Sequence, residues 1–286
     1  MSALDGKQKH SKMATYLKFK RTTNTALVLV FLYILLSACD KNNNFSLFSI
    51  EDDRRLGLQV SEQIASDPQY IIAPREDYPE AYAYLDSVVG AILSTGEVVY
   101  RDEFVWELTL LRDDEVLNAF AAPGGYLYVY TGLLKFLDCG DDFAGVMAHE
   151  IAHADLRHTS RNLQRQYGVS LLLQIITGEE PGELATIAAQ IAGGLSGLQF
   201  SREFETEADE RSVEYLAKTG WACDGAAHFF EKLEQSGAGQ GPPEFLSTHP
   251  SPDNRIVNIG AKADEEGCDT VRTACPSYQN FLRYLP

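Results

Sequence analysis

Apolar positions along this 286-residue chain change their spacing as the chain proceeds. Ser49 is placed as an N-cap before Glu51-Asp52-Asp53, and helical spacing then runs to about Ala65. Pro79 opens a second helical stretch that ends near Ser94. Phe104 to Leu111 alternates as a strand does. Val116 to Ala122 and Tyr126 to Tyr130 read as two further strands joined around Gly124-Gly125, a hairpin signal. From Asp141 onward the pattern is almost wholly helical. These periods predict an α+β, mostly helical domain with a small antiparallel sheet, occupying residues 49–286.

Two apolar stretches stand out late in the chain, Gly168 to Gly178 and Leu184 to Leu198, separated by Glu179-Glu180-Pro181-Gly182. Each is too short to span a bilayer, which takes ~20 apolar residues. They read as buried core helices. The alternative is a lid that moves on Gly193, Gly194 and Gly197.

The start of the chain has a different pattern. Lys18, Lys20 and Arg21 precede the unbroken apolar run from Ala26 to Leu36, followed by Ser37, Ala38 and Cys39. Basic residues, a short apolar core and small residues before the cut make a secretory leader over residues 1–38. Leu36-Ser37-Ala38-Cys39 resembles a bacterial lipobox, which implies a lipidated Cys39 and a tether over residues 39–48. Met13 as the start would give a more ordinary leader length. Asp40 resembles an inner-membrane retention signal in enteric bacteria, and the choice of inner or outer membrane stays open. The reading is a cell-envelope protein on the periplasmic side, held by acyl chains.

Charge supports that reading. Taking the six Lys/Arg and one acid of residues 1–38 from totals of 24 and 41 leaves 18 basic and 40 acidic residues, a net of −22. Such acidity excludes nucleic acid as a partner, because phosphate binding needs clustered cations. It also disfavours electrostatic adhesion to anionic lipid, so acyl chains must do the anchoring. Four cysteines remain besides Cys39: Cys139, Cys223, Cys268 and Cys275. An even number in an oxidising compartment permits three pairings. The near neighbours Cys268 and Cys275 are the preferred disulfide, leaving Cys139 with Cys223.

The chemistry concentrates in His149-Glu150-Ile151-Ala152-His153, which closes an apolar helical run from Phe143. Residues four apart share one helix face. Both imidazoles can therefore bind one Zn²⁺, with Glu150 beside the metal to take a proton from water. A third ligand must come from elsewhere. Downstream, Glu205 and Asp209 share a face of a second helical pattern. Glu205 can supply a carboxylate, and Asp209 can fix the tautomer of a ligating imidazole. Spacing alone does not choose Glu205 over Glu203 or Glu207.

Three blocks together resemble the zinc metallopeptidases of family forty-eight, the group of the CAAX prenyl proteases and of stand-alone periplasmic lipoprotein proteases. They are Ala148-His149-Glu150-Ile151-Ala152-His153, Glu205-Thr206-Glu207-Ala208-Asp209, and Thr248-His249-Pro250 with Arg255 six residues after the His. A softer match, Asn118 to Tyr126, is similar to the strand and turn before the family's catalytic helix. The resemblance runs from about Ser49 to Gly260. It implies a zincin-like fold and one zinc ion on His149, His153 and Glu205. It also implies Glu150 as general base and Asp209 as the residue orienting a ligand. His249 would either stabilise the oxyanion or approach the metal in a closed state. Arg255 would be a structural or substrate-orienting cation.

The function expected is zinc-dependent cleavage of unfolded or misassembled cell-envelope proteins. The substrate would lie extended along an edge strand placed at Asn118, Ala119, Phe120 and Ala121. The alternative is a zinc-containing lipoprotein that acts as chaperone or scaffold with its cleft closed. An intramembrane protease is disfavoured, since the chain after Cys39 has no transmembrane run.

Overall fold

The structure is a computed structural model that describes residues 41–42, 46–178, 181–193, 199–236, 244–250 and 254–286. The chain divides into two units, Met1–Ser46 and Leu47–Pro286, and the second carries both the sheet and the metal-binding motif. The leader, the proposed lipid site Cys39 and the glycines at 194 and 197 lie outside the described residues. Among those residues, no helix is long and apolar enough to cross a membrane.

Helix α1 (Ile50–Ser66) begins as the sequence requires. The Ser49 hydroxyl accepts from the Asp52 N–H, and the Asp52 carboxylate accepts from the Ser49 N–H, a reciprocal capping box. Helix α2 (Pro79–Leu93) carries Pro79 in its first turn, where a missing N–H costs nothing, and buries Leu85, Val88 and Ile92.

The sheet departs from expectation. Its strands are β1 (Glu107–Leu111), β2 (Ala119–Ala122) and β3 (Tyr126–Tyr130), in the order β1-β3-β2. β2 and β3 pair antiparallel, but β1 and β3 pair parallel, so the sheet is mixed rather than antiparallel. The reason lies in burial. Every residue of Tyr126-Leu127-Tyr128-Val129-Tyr130 is buried, which only the central position satisfies, so β3 inserts between the other two. The Pro123–Gly125 turn makes this return possible, with Gly124 and Gly125 at φ of 74° and 89°. β1 begins at Glu107 rather than Phe104 because Trp106 sits at φ 50°, outside strand geometry.

Beyond the sheet the described chain is helical, starting with a short α3 (Thr131–Phe136). It continues as α4 (Gly140–Asp155), α5 (His158–Thr177), α6 (Pro181–Ala192), α7 (Arg202–Leu216), α8 (Gly225–Gln235) and α9 (Glu244–Thr248), then α10 (Arg255–Glu266) and α11 (Cys275–Phe281). α4 is buried at every position and packs chiefly on α7 and α8. Its approach to α8 depends on glycine: a Cβ on Gly145 would stand 2.1 Å from the Ala226 nitrogen. The described part of the second late apolar stretch forms a core helix as far as Ala192: Leu184, Ile187, Ala188 and Ile191 of α6 join Leu56, Val60 and Ile64 of α1 in one cluster. α5 is broken at Gly168, where φ is 70° and ψ 170°.

The cysteine pairing is also corrected. The disulfides are Cys139–Cys275 and Cys223–Cys268, not Cys268–Cys275. Cys268 ends the α10 turn beside the α7–α8 connection, where the Cys223 N–H donates to the Asp269 carbonyl. Cys275 starts α11 against the N-terminus of α4, where Cys139 is the cap residue. Nearness in sequence misled because residues 268–275 run from one contact to the other.

Candidate metal centre

The helical spacing of α4 places His149 and His153 on one face, and α7 crosses that face with Glu205 and Asp209. The two histidine Nε2 atoms lie 3.0 Å apart. A Glu205 carboxylate oxygen lies 3.4 Å from the His149 Nε2 and the other 3.5 Å from the His153 Nε2. One donor atom each from His149, His153, Glu205 and His249 lies within 4.8 Å of the others, and all four residues are buried. Asp209 Oδ1 is 2.9 Å from the His149 Nδ1, so that nitrogen donates and Nε2 faces the cluster, where a bound metal would displace its proton. This donor set, two imidazole nitrogens and a carboxylate with the outer nitrogens engaged, fits a divalent metal ion.

Glu150 stands beside the cluster. Neither of its carboxylate oxygens has a hydrogen-bond partner although both are buried, and the nearer lies 3.6 Å from the His249 Nε2. Burial raises its pKa, against the pull of His249 and His149. Glu205 behaves oppositely. Burial pushes its carboxyl up, but His249 and His149 outweigh that and hold it well below the usual range. His149 is lowered by burial, yet its bonds to Asp209 and Glu205 prevail and push it up to about 9.

The third sequence block closes over these residues. His249 Nδ1 lies 3.1 Å from Glu205 Oε1, and its ring stacks on Phe245 with centroids 4.4 Å apart. The Arg255 guanidinium donates to Glu205 at 3.0 Å and to Asp209 at 2.7 Å. It lies 3.8 Å over the Phe230 ring. Arg255 therefore touches the carboxylates, not open space.

The residues expected to pair with substrate fall on β2 and the position before it. β2 is an outer strand of the sheet and packs on α4. Asn118 just precedes it, buried, with its carbonyl accepting from the Tyr130 N–H and its side-chain oxygen without a partner. Phe120 stacks on Tyr128 with centroids 4.6 Å apart.

The matching family model is Peptidase family M48, over residues 79–263. This chain belongs to peptidase family M48. The match takes in the α4 motif, the α7 acids, the His249 block and the strand before α4. Among relatives of the M48 chain, the beta-barrel assembly-enhancing protease of Yersinia pestis is 29% identical over 225 residues, 73% of this chain and 45% of the relative. The Escherichia coli protein of the same name is 27% identical over 231 residues, 77% of this chain and 45% of the relative. The mitochondrial metalloendopeptidase OMA1 of Schizosaccharomyces pombe is 26% identical over 268 residues, 89% of this chain and 75% of the relative. The chain thus spans about half the length of the bacterial relatives.

His158 is the site residue that sequence reasoning missed. Glu207, weighed as a possible ligand, points to His158 at 3.1 Å and to Arg161 at 2.7 Å. Glu203 is exposed beside Arg165, so Glu205 alone of the three enters the cluster. The available signal was a third histidine five residues after His153.

Proposed function

We propose that this M48 chain is a zinc metalloendopeptidase acting on unfolded or misassembled cell-envelope proteins, anchored through a lipidated Cys39. The observation that carries the reading is the convergence of His149, His153 and Glu205 beside a buried Glu150 whose carboxylate oxygens have no hydrogen-bond partner. When bound there, zinc lowers the pKa of a water molecule and polarises the scissile carbonyl. Glu150 removes the proton from the attacking water and delivers it to the leaving amine nitrogen. Asp209 and Arg255 hold the ligands in place. An extended substrate adds beside β2, pairing main chain with Asn118 to Ala121. Such pairing selects extended, unfolded chains over folded ones. The names of the bacterial relatives, which speak of beta-barrel assembly, support an envelope substrate.

The position of His249 favours a second state of the same enzyme. Its ring fills the space beside Glu205 and Glu150, which corresponds to a closed, latent site in which His249 serves as a further ligand. A scaffold that never cleaves would keep this state permanently.

Casein degradation by full-length protein tests both points, with metal content measured on each variant. Wild type should cleave with about one zinc per chain. Glu150→Gln should keep the metal and lose activity by about 10² or more. Silence from both with zinc bound would leave the scaffold. Faster cleavage by His249→Ala would establish the closed state, whereas slower cleavage would give His249 a role in the reaction.

A further inference from the structure

We infer that His158 and Glu207 form a relay that sets the tautomer and orientation of His153, making both of them positioning residues for the metal. The inference rests on the metal-site reading above, and its geometry is independent of the Asp209 contact, which serves His149.

His158 is fully buried at the start of α5, and its Nδ1 lies 2.8 Å from the Nδ1 of His153. Its other nitrogen, Nε2, lies 3.1 Å from Glu207 Oε2. Glu207 is itself held by Arg161, at 2.7 Å to one oxygen and 3.3 Å to the other. These contacts leave one consistent placement of protons. A carboxylate paired with arginine only accepts, so His158 Nε2 carries hydrogen and donates to Glu207. In a neutral ring, His158 Nδ1 is then the lone pair and accepts. His153 Nδ1 must therefore donate, and its Nε2 faces His149 and Glu205 as a lone pair, the form a metal ligand requires. Glu207 thus decides, through two hydrogen bonds, which nitrogen of His153 is free.

The surroundings fix the rings as well as the protons. His158 stacks on Phe204 at 4.4 Å between centroids and 9° between planes. Arg161 and Arg165 lie 4.3 and 4.2 Å from the same Phe204 ring. Phe200 stacks on His153 at 4.1 Å and 19°. The turn that brings His158 back toward α4 contains Arg157 at φ 58°, a left-handed conformation for a non-glycine residue. Arg157 is tied down by Asp53 at 2.5 Å and by the Phe48 carbonyl, also at 2.5 Å. α1 therefore props the turn from which the relay starts.

The test measures the zinc dissociation constant by chelator competition, and the absorption spectrum of the cobalt-loaded protein, on full-length wild type and three variants. His158→Phe keeps the stack on Phe204 and removes both hydrogen bonds; zinc affinity should fall about 10- to 100-fold and the cobalt bands should shift. His158→Asn restores an acceptor near the Nδ1 position and should recover most of the loss, which a purely structural role would not predict. Glu207→Gln, at a partly exposed site, should weaken zinc by a smaller factor, about threefold or more. Should His158→Phe fail to fold, the Glu207→Gln affinity and the His158→Asn spectrum decide. Unchanged affinity and spectra in the folded variants would overturn the relay while leaving the metal site standing. No zinc binding by wild type would instead remove the metal reading on which the relay rests.

Discussion

The two ends of helix α4 are held by different kinds of contact. The N-terminal end is fastened by a covalent bond and a buried acid. Cys139 is joined to Cys275, and Asp141 accepts from the backbone N–H groups of Ala222, Thr273 and Ala274. Asp142 takes Arg272 at 2.5 Å. The C-terminal end is positioned instead by side chains of α7 and α10 that gather around His149 and His153, and by Asp155, which accepts from Tyr215 and from the backbone of Val99 and Tyr100. Frame and chemistry are therefore separable: one end sets where the helix lies, and the other sets the geometry of four donor atoms.

The largest effect is expected at Asp141. Asp141→Ala strands one buried and two partly buried backbone donors and should cost about 3 kcal/mol in urea unfolding. Zinc affinity of the folded protein should stay within about threefold, since distant sites act independently. A zinc loss as large as that of an α7 variant would show that the two ends are coupled. Next come the disulfides. Cys139→Ser with Cys275→Ser should cost about 2–4 kcal/mol. The two pairs close loops of 136 and 45 residues. Removing Cys223–Cys268 should therefore cost about 1 kcal/mol less than removing Cys139–Cys275. Equal losses would point to native packing rather than chain restriction as the source.

At the other end, Asp209→Asn should weaken zinc about 10- to 100-fold by freeing the His149 tautomer. Chelator competition reads this directly, and an unchanged constant would deny Asp209 its role. The smallest effect lies away from both ends, on the outer face of α7. Burial raises the Glu214 pKa, but Arg211 and Lys262 outweigh it and the net shift is downward. A carboxyl depressed in the folded state stabilises above its unfolded pKa, and the gain fades as pH falls through the folded value. Glu214→Gln should lower stability by less than about 1 kcal/mol at pH 7, given partial exposure. The difference between variant and wild type should shrink on acidification below about pH 4.3. A difference that grew with acid would reverse the assigned sign.

Much of the site is legible in the sequence. His149, Glu150 and His153 fall together because a four-residue step on a helix leaves little freedom. Ser49, Pro79 and the Gly124-Gly125 turn mark element boundaries by local backbone chemistry that hardly depends on the rest of the chain. Long-range partnership is less legible. Spacing leaves Glu203, Glu205 and Glu207 equivalent; the crossing of α7 over α4 gives Glu205 to the metal cluster, Glu207 to His158 and Glu203 to the surface. The expected cysteine pairing fails for the same reason, because sequence distance does not report where α10 and α11 dock.

Local rules, then, determined from sequence alone that a metal-binding helix exists, where its neighbours begin, and what chemistry its residues can perform. Only the tertiary structure decided that the sheet is mixed, that the cystines cross between segments, that Arg255 meets carboxylates and that His158 backs His153. The physical reason is range. Capping, turn geometry and helical spacing act over a few residues, whereas strand order, disulfide partners and proton placement depend on which distant segments burial brings into contact.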